Sequence, residues 1–133
     1  MRYLLAIDSF KGCLSSVEVE KTVETALGQM GAEVVSIPMS DGGEGMLEAF
    51  TNALGGSFVD VTVHDPMMRR ITAQYGMTAD GTSIIETSKA CGLTLMTAGE
   101  LNPMVATSYG VGELLAHAMK SGCTNHIMGL GGS

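Results

Sequence analysis

The sequence predicts an α/β fold, a Rossmann-like parallel-sheet domain carrying an additional β-rich segment. Three observations predict it. Tyr3 to Ile7 is a continuous apolar run halted by Asp8, which is how a strand buried on both faces of a parallel sheet reads. Residues 1–56 then run strand, loop, helix, strand, loop, helix, the order that builds a parallel sheet flanked by helices. From residue 57 the period changes. Val59, Val61 and Val63, then Ile71, Ala73, Tyr75 and Met77, alternate strictly, as half-buried antiparallel strands do.

After the first strand, Asp8-Ser9-Phe10-Lys11-Gly12 is a loop. Ser15 and Glu18 have the spacing of a capping box, and Val19, Val23, Ala26, Leu27 and Met30 recur at helical spacing until Gly31 ends the helix. Glu33 to Ile37 is the second strand, closed by Pro38. The loop Ser40-Asp41-Gly42-Gly43-Glu44-Gly45 follows. The next helix carries Met46, Leu47, Phe50 and Leu54 on one side and stops at Gly55-Gly56. In the second part, Asp65-Pro66 turns the chain between alternating strands, and Asp80-Gly81 turns it again before Ser83 to Thr87, so residues 57–87 form a β-meander. A short helical stretch near Ser88 to Gly92 leads through Asn102-Pro103 to a helix with the stripe Val111, Leu114, Leu115, Ala118 and Met119. A buried strand, His126 to Leu130, comes last and feeds Gly131-Gly132-Ser133. Residues 1–56 are assigned to the N-terminal part of the Rossmann-like domain, and 57–133 to the meander and an incomplete α/β segment of a second domain.

Composition narrows the function classes. The 133 residues carry a net charge of -7, and no basic cluster exceeds Arg69-Arg70. Such a chain has no nucleic-acid footprint and no affinity for an anionic membrane. No segment approaches the length of a membrane span, and the N-terminal apolar run is too short for a signal peptide. Cys13, Cys91 and Cys123 are odd in number and widely spaced. Neither they nor His64, His117 and His126 form a metal-ligand pattern, so no residue is assigned as a metal ligand. A reducing cytoplasm fits this usage. Self-association into a homo-oligomer is compatible with the sequence but not demanded by it.

The loops carry the chemistry. Asp8 to Gly12 and Ser40 to Gly45 both leave the carboxyl ends of predicted parallel strands, the edge where open α/β sheets bind ligands. Gly42, Gly43 and Gly45 allow close backbone approach to a ligand, while Asp41 and Glu44 add negative charge. Glycine amides suit phosphate oxygens and carboxylates repel them. Both belong to one site when a metal ion or a hydroxyl stands between. The alternative is local, because Asp41 and Glu44 also have capping-box spacing ahead of the helix at Met46. Lys11 either neutralises an anionic ligand or is a solvated lysine before a helix. Asp8 either orients Lys11 or accepts amide bonds at the strand end. Ser9 lacks a neighbouring base that would make it a nucleophile. Arg69, after the Asp65-Pro66 turn, reaches an anion or is solvated. Thr107 to Glu113 approaches a ligand through Gly110 and Gly112, or Thr107 or Ser108 caps the following helix. Glu86, ending an apolar strand, needs a hydrogen-bonding partner. Gly131-Gly132-Ser133 after a strand is the opening of an anion site at a helix start.

The run Asp8-Ser9-Phe10-Lys11-Gly12-Cys13-Leu14-Ser15 resembles the opening signature of the glycerate kinase family, which phosphorylates D-glycerate with ATP. The resemblance continues in order through Pro38 to Gly45, Asp65-Pro66 with Arg69, Tyr75-Gly76, Glu86 to Leu93, Asn102-Pro103, Tyr109 to Leu114 and Gly129 to Ser133. Each match is weak alone, and the ordered set is specific. Cys13, Ser40, Met46, Met68 and Ser108 stand where the family more often has Ser, Ala, Thr, Gly and Thr. Family members are much longer, and their Gly-Gly-Ser continues into Ala-Thr-Asn-Asp-Gly-Gly. The resemblance therefore implies a C-terminally truncated member of the family. It implies ATP and Mg²⁺ as cofactors and D-glycerate as substrate. Lys11, Asp41 and Glu44 would be catalytic, Asp8, Ser9 and Arg69 would bind substrate, and Gly42, Gly43, Gly45, Gly131, Gly132 and Ser133 would bind phosphate.

Overall fold

The computed structural model describes residues 1–10 and 13–133. Its first unit is β1 (Arg2–Leu5), α1 (Ser16–Gln29) and β2 (Glu33–Ser36), with the two strands paired in parallel from Arg2↔Glu33 to Leu5↔Ser36. The capping box forms as the spacing predicts. The Ser15 hydroxyl accepts from the Glu18 amide, and the Glu18 carboxylate accepts from the Ser15 amide at 2.8 Å.

A second sheet has the order β3-β4-β5-β6, built from Ser57–His64, Arg70–Met77, Thr82–Glu86 and Asn125–Gly129. The first three strands are antiparallel neighbours, the predicted meander, and β6 runs parallel to β5. Parallel pairing of β5 with β6 requires a crossover, supplied here by α3 (Ser88–Cys91), two 3-10 turns and α4 (Tyr109–Lys120). On one face, Val63, Ala73, Tyr75 and Ile85 pack with Val111, Leu114 and Ala118 of α4 and Ala90 of α3. On the opposite face, Ile84 packs with Met46 and Leu47 of α2 (Met46–Ala53). The chain is thus α/β, with parallel pairing in both sheets. The α2 helix follows the first unit in sequence, yet its contacts are with β3, β4 and β5.

The apolar run at residues 3–7 is the pattern of a strand buried on both faces, and here the structure differs. Leu5 is buried, but Leu4 is 64 % exposed and Val35, Ile37 and Met39 on or after β2 are also exposed. The reason lies in the layers. Helix α1 covers one face of the β1–β2 pair, and no described element covers the other.

Candidate active site

Because β1 and β2 are parallel, their exits lie side by side. The Ile37 amide donates to Leu5 O at 2.9 Å and the Met39 amide to Ile7 O at 3.3 Å, so the pairing continues into both loops. The Ile7 amide is held by the Glu20 carboxylate, at 3.0 Å to Oε1. Glu20 is buried, and its Oε2 has no partner among the described residues. Sequence reasoning missed this residue. The signal was its helical phase, since Glu20, Val23 and Leu27 share one face of α1.

The two exit loops meet in a cleft of about 360 Å³ lined by Ser9, Phe10, Ser15, Glu18, Glu44 and Gly45. Ser9 and Glu44 are therefore brought together. Asp8, beside them in the chain, is exposed and accepts the Ser9 amide at 2.7 Å. Lys11 and Gly12 lie outside the described residues. Glu18, at the cleft wall, is held below the usual carboxylate range by the Ser15 amide and then the Ser15 hydroxyl, so it stays ionised.

The loop Ser40–Gly45 is organised by its own side chains. Ser40 Oγ accepts from the Gly42 amide at 3.2 Å and Asp41 Oδ1 from the Gly43 amide at 2.9 Å. The capping-box alternative for Asp41 and Glu44 does not hold. Gly45 is the N-cap of α2, at φ +89, and makes no side-chain capping bond. The helix start is instead satisfied from across the sheet, where buried Glu86 accepts the Leu47 amide through Oε2 at 3.1 Å. Glu86 also accepts from the Ser88 hydroxyl, and Lys89 Nζ lies 3.9 Å away. A carboxylate at a helix N-terminus is a favourable match of charge, and it gives Glu86 the partner its position demands.

The segment after β6 presses against the glycine loop. The Gly131 amide donates to Gly42 O at 2.9 Å. A Cβ on Gly131 would stand 2.6 Å from Gly43 Cα, and one on Gly129 would stand 2.5 Å from Gly42 O. These glycines are required by the approach of two backbones as much as by any ligand. The amides of Gly42, Gly43 and Gly131 are used inside this junction. Those of Glu44, Gly45 and Gly132 have no acceptor among the described residues, so the donors open to an anion sit at the two ends of the junction. Ser133 turns back on Leu130, and its hydroxyl donates to Leu130 O at 3.2 Å.

Arg69 lies away from the cleft. Its Nε donates to Asp65 Oδ2 at 2.5 Å, and its other guanidinium nitrogens donate to Glu100 Oε1 at 3.0 Å and Leu95 O at 2.8 Å. Asp65 Oδ1 also accepts the Met67 and Arg69 amides, each at 2.8 Å. Burial pushes the Asp65 carboxyl up, but the Arg69 amide and guanidinium and the Met67 amide outweigh it and leave the group below the usual range. Inside this turn Met68 adopts φ +62, which a residue with a Cβ rarely does.

At the other end of the chain, Thr107 Oγ1 accepts the Tyr109 amide at 3.1 Å while Ser108 is the N-cap of α4 without a side-chain bond. Ser133 lines a second groove of about 410 Å³, together with Pro66, Thr107 and Ser108. Among the described residues, no helix is long and apolar enough to cross a membrane.

A sequence model of the glycerate kinase family matches residues 3–133. Over its whole length the chain is 40% identical to glycerate 2-kinase of Escherichia coli and 38% identical to glycerate kinase of Haemophilus influenzae. It spans 36% of each of those proteins, little more than a third of the curated relatives it matches. Among solved structures, a Salmonella typhimurium LT2 protein provisionally assigned as glycerate kinase 2 is similar at TM-score 0.83 and 37% identity, covering all of this chain and 37% of that one.

Proposed function

Since the chain belongs to the glycerate kinase family, we propose that it supplies part of a site that transfers the γ-phosphoryl group of ATP to a hydroxyl of D-glycerate, giving phosphoglycerate and ADP. The observation that carries this reading is the single cleft shared by Ser9 and Glu44 at the carboxyl ends of parallel β1 and β2. The glycerate hydroxyl oxygen attacks the γ-phosphorus, the bond to the bridging oxygen breaks, and ADP leaves. Asp41 and Glu44 are the carboxylates that orient the acceptor hydroxyl and take its proton. Both are exposed at the loop surface, and Asp41 Oδ1 already accepts the Gly43 amide, leaving Oδ2. Hard carboxylate oxygens also suit Mg²⁺, which neutralises charge on the transferring phosphates when it arrives with ATP. Lys11 compensates the substrate carboxylate or a phosphate oxygen. Asp8 and Ser9 contact the acceptor, and the free amides of Gly45 and Gly132, with Ser133 beside them, receive phosphate oxygens. Gly42, Gly43 and Gly131 hold these donors in place. Arg69 supports substrate binding through the turn it ties to Leu95 and Glu100. Positioning and charge neutralisation supply most of the rate in this chemistry. Free Cys13, Cys91 and Cys123 fit a reducing cytoplasm.

The test is Mg·ATP- and D-glycerate-dependent formation of phosphoglycerate, measured on the longest chain the coding sequence encodes, with the 2- and 3-phosphates resolved. Lys11→Ala is expected to lower turnover by about 10²–10³-fold, the scale of losing one charge-stabilising donor. No turnover sinks the reading, and an undiminished Lys11→Ala rate sinks that residue's role. The exposed face of the β1–β2 sheet favours a second reading for the chain by itself: a unit that binds ligand, or packs against a partner chain, without turnover. Binding of Mg·ATP or D-glycerate without product identifies it.

A further inference from the structure

The second groove differs in chemistry from the acidic cleft. It measures about 410 Å³, within the range of small-molecule sites. Leu93, Met96, Leu101, Pro103 and Ala106 form its walls, and among the described residues no charged one lines it. Burial pushes the Cys91 thiol up, so that lining residue is neutral as well. A carboxylate or phosphate would find no counter-charge here, and a small hydroxy acid has little apolar surface to bury. A heteroaromatic base has apolar faces with donors and acceptors around its edge, and such faces stack on apolar walls. The polar groups that line the groove retain donors that an edge could use. Asn102 Oδ1 accepts the Met104 amide at 3.0 Å, leaving the side-chain NH₂ without an acceptor among the described residues. Thr107 Oγ1 accepts the Tyr109 amide, so its hydroxyl hydrogen remains to donate.

Continuity with the phosphoryl-transfer cleft completes the case. Ser133 lines the groove, the Leu93 amide donates to Gly132 O at 3.2 Å, and the Gly131 amide donates to Gly42 O at 2.9 Å. One stretch of backbone thus runs from the glycine loop to the groove, with the unpaired Gly132 amide between. We infer that this groove seats the purine base of the nucleoside triphosphate, with the phosphates crossing Gly132 and Ser133 toward Glu44. The assignment rests on the kinase reading and adds the position of the donor nucleotide to it.

Adenosine tests the groove without the phosphates. Titrated into the isotope-labelled chain, it is expected to shift the amide signals of Leu93, Met96 and Ala106 and to leave β1 and β2 unmoved. Ala106→Trp, which fills the groove, is expected to weaken adenosine binding at least tenfold. Met96→Ala trims one wall and is expected to weaken it several-fold; it serves where the tryptophan variant does not fold. Adenosine shifts confined to other residues, no adenosine shifts at all, or unchanged affinity in a folded groove variant would overturn the assignment, even where ATP-dependent turnover stands. Adenosine in the groove of a protein that forms no phosphoglycerate sustains the base site and removes the kinase reading instead.

Discussion

The β1–α1–β2 unit and the four-stranded sheet use similar strands and end up differently buried. In the sheet, Tyr75, Ile84 and Ile85 are fully enclosed, as is Leu114 of α4 against it, because α4 with α3 covers one face and α2 the other. In the N-terminal unit only α1 covers the strands, and Leu4, Val35, Ile37 and Met39 remain exposed. Parallel strands occur almost only where both faces are covered, so the first unit is the less buttressed half. It is also the half whose strand exits line the proposed acceptor cleft.

The difference can be broken most directly by a paired truncation. Leu114→Ala is expected to cost about 2–5 kcal/mol of unfolding free energy, the range for a buried leucine. Leu4→Ala should stay within about 0.5 kcal/mol, as surface substitutions do. Denaturant midpoints read both, and a large loss in Leu4→Ala would show that the open face is covered in solution.

Asp65→Asn probes the one buried carboxylate that ties the β3–β4 turn to the loop at Leu95. It should cost about 1.5–3 kcal/mol near neutral pH, the scale of hydrogen bonds to a charged group. The folded carboxyl lies below its ordinary value of 3.8, so its contribution is fully present above that value. It is lost as pH falls through the lowered folded value. The gap between wild type and variant should therefore close on acidification below about pH 4, and a pH-independent gap would assign the loss to packing alone.

Gly131→Ala tests the junction between the two regions. Its Cβ would meet the Gly43 backbone, and relief of that overlap is expected to cost about 1–3 kcal/mol. Amide signals of residues 42–45 should move with it, and an unperturbed loop would show that the two backbones are not coupled. Met68→Gly is the one substitution expected to stabilise. Relief of the left-handed conformation offsets the added chain entropy of glycine, so the variant should lie between neutral and about 1 kcal/mol more stable in the same denaturation assay.

Much of this was legible locally. The Ser15–Glu18 box, the α4 stripe of Val111, Leu114, Leu115 and Ala118 and the alternation of β3 and β4 depend on residues a few positions apart, and the structure has them as their spacing predicts, except that Met119, expected in the stripe, is exposed. Met68 was visible as a departure from the family's usual glycine, and its positive φ supplies the reason. The glycine loop was ambiguous, because Asp41 and Glu44 have the spacing of a cap. Its resolution came from Glu86, which lies 39 residues from the amide it accepts. For Arg69, the position after a turn left an anion ligand and a solvated side chain both open, and only the family resemblance implied substrate binding. Its ties to Leu95 and Glu100 lie 26 and 31 residues away and leave no periodic trace.

By itself the sequence determined the element order, the two periodicities, and an ordered motif series specific enough to identify the family. Each of these is written in short-range spacing or in residue identity. The tertiary structure decided which strand faces are covered, which loop amides stay open, and that the glycine loop and Gly131 share a junction. Those outcomes follow from how two sheets and their helices close on one another. The contacts concerned join Leu47 with Glu86 and Gly42 with Gly131, pairs that no local pattern of apolar or polar residues connects.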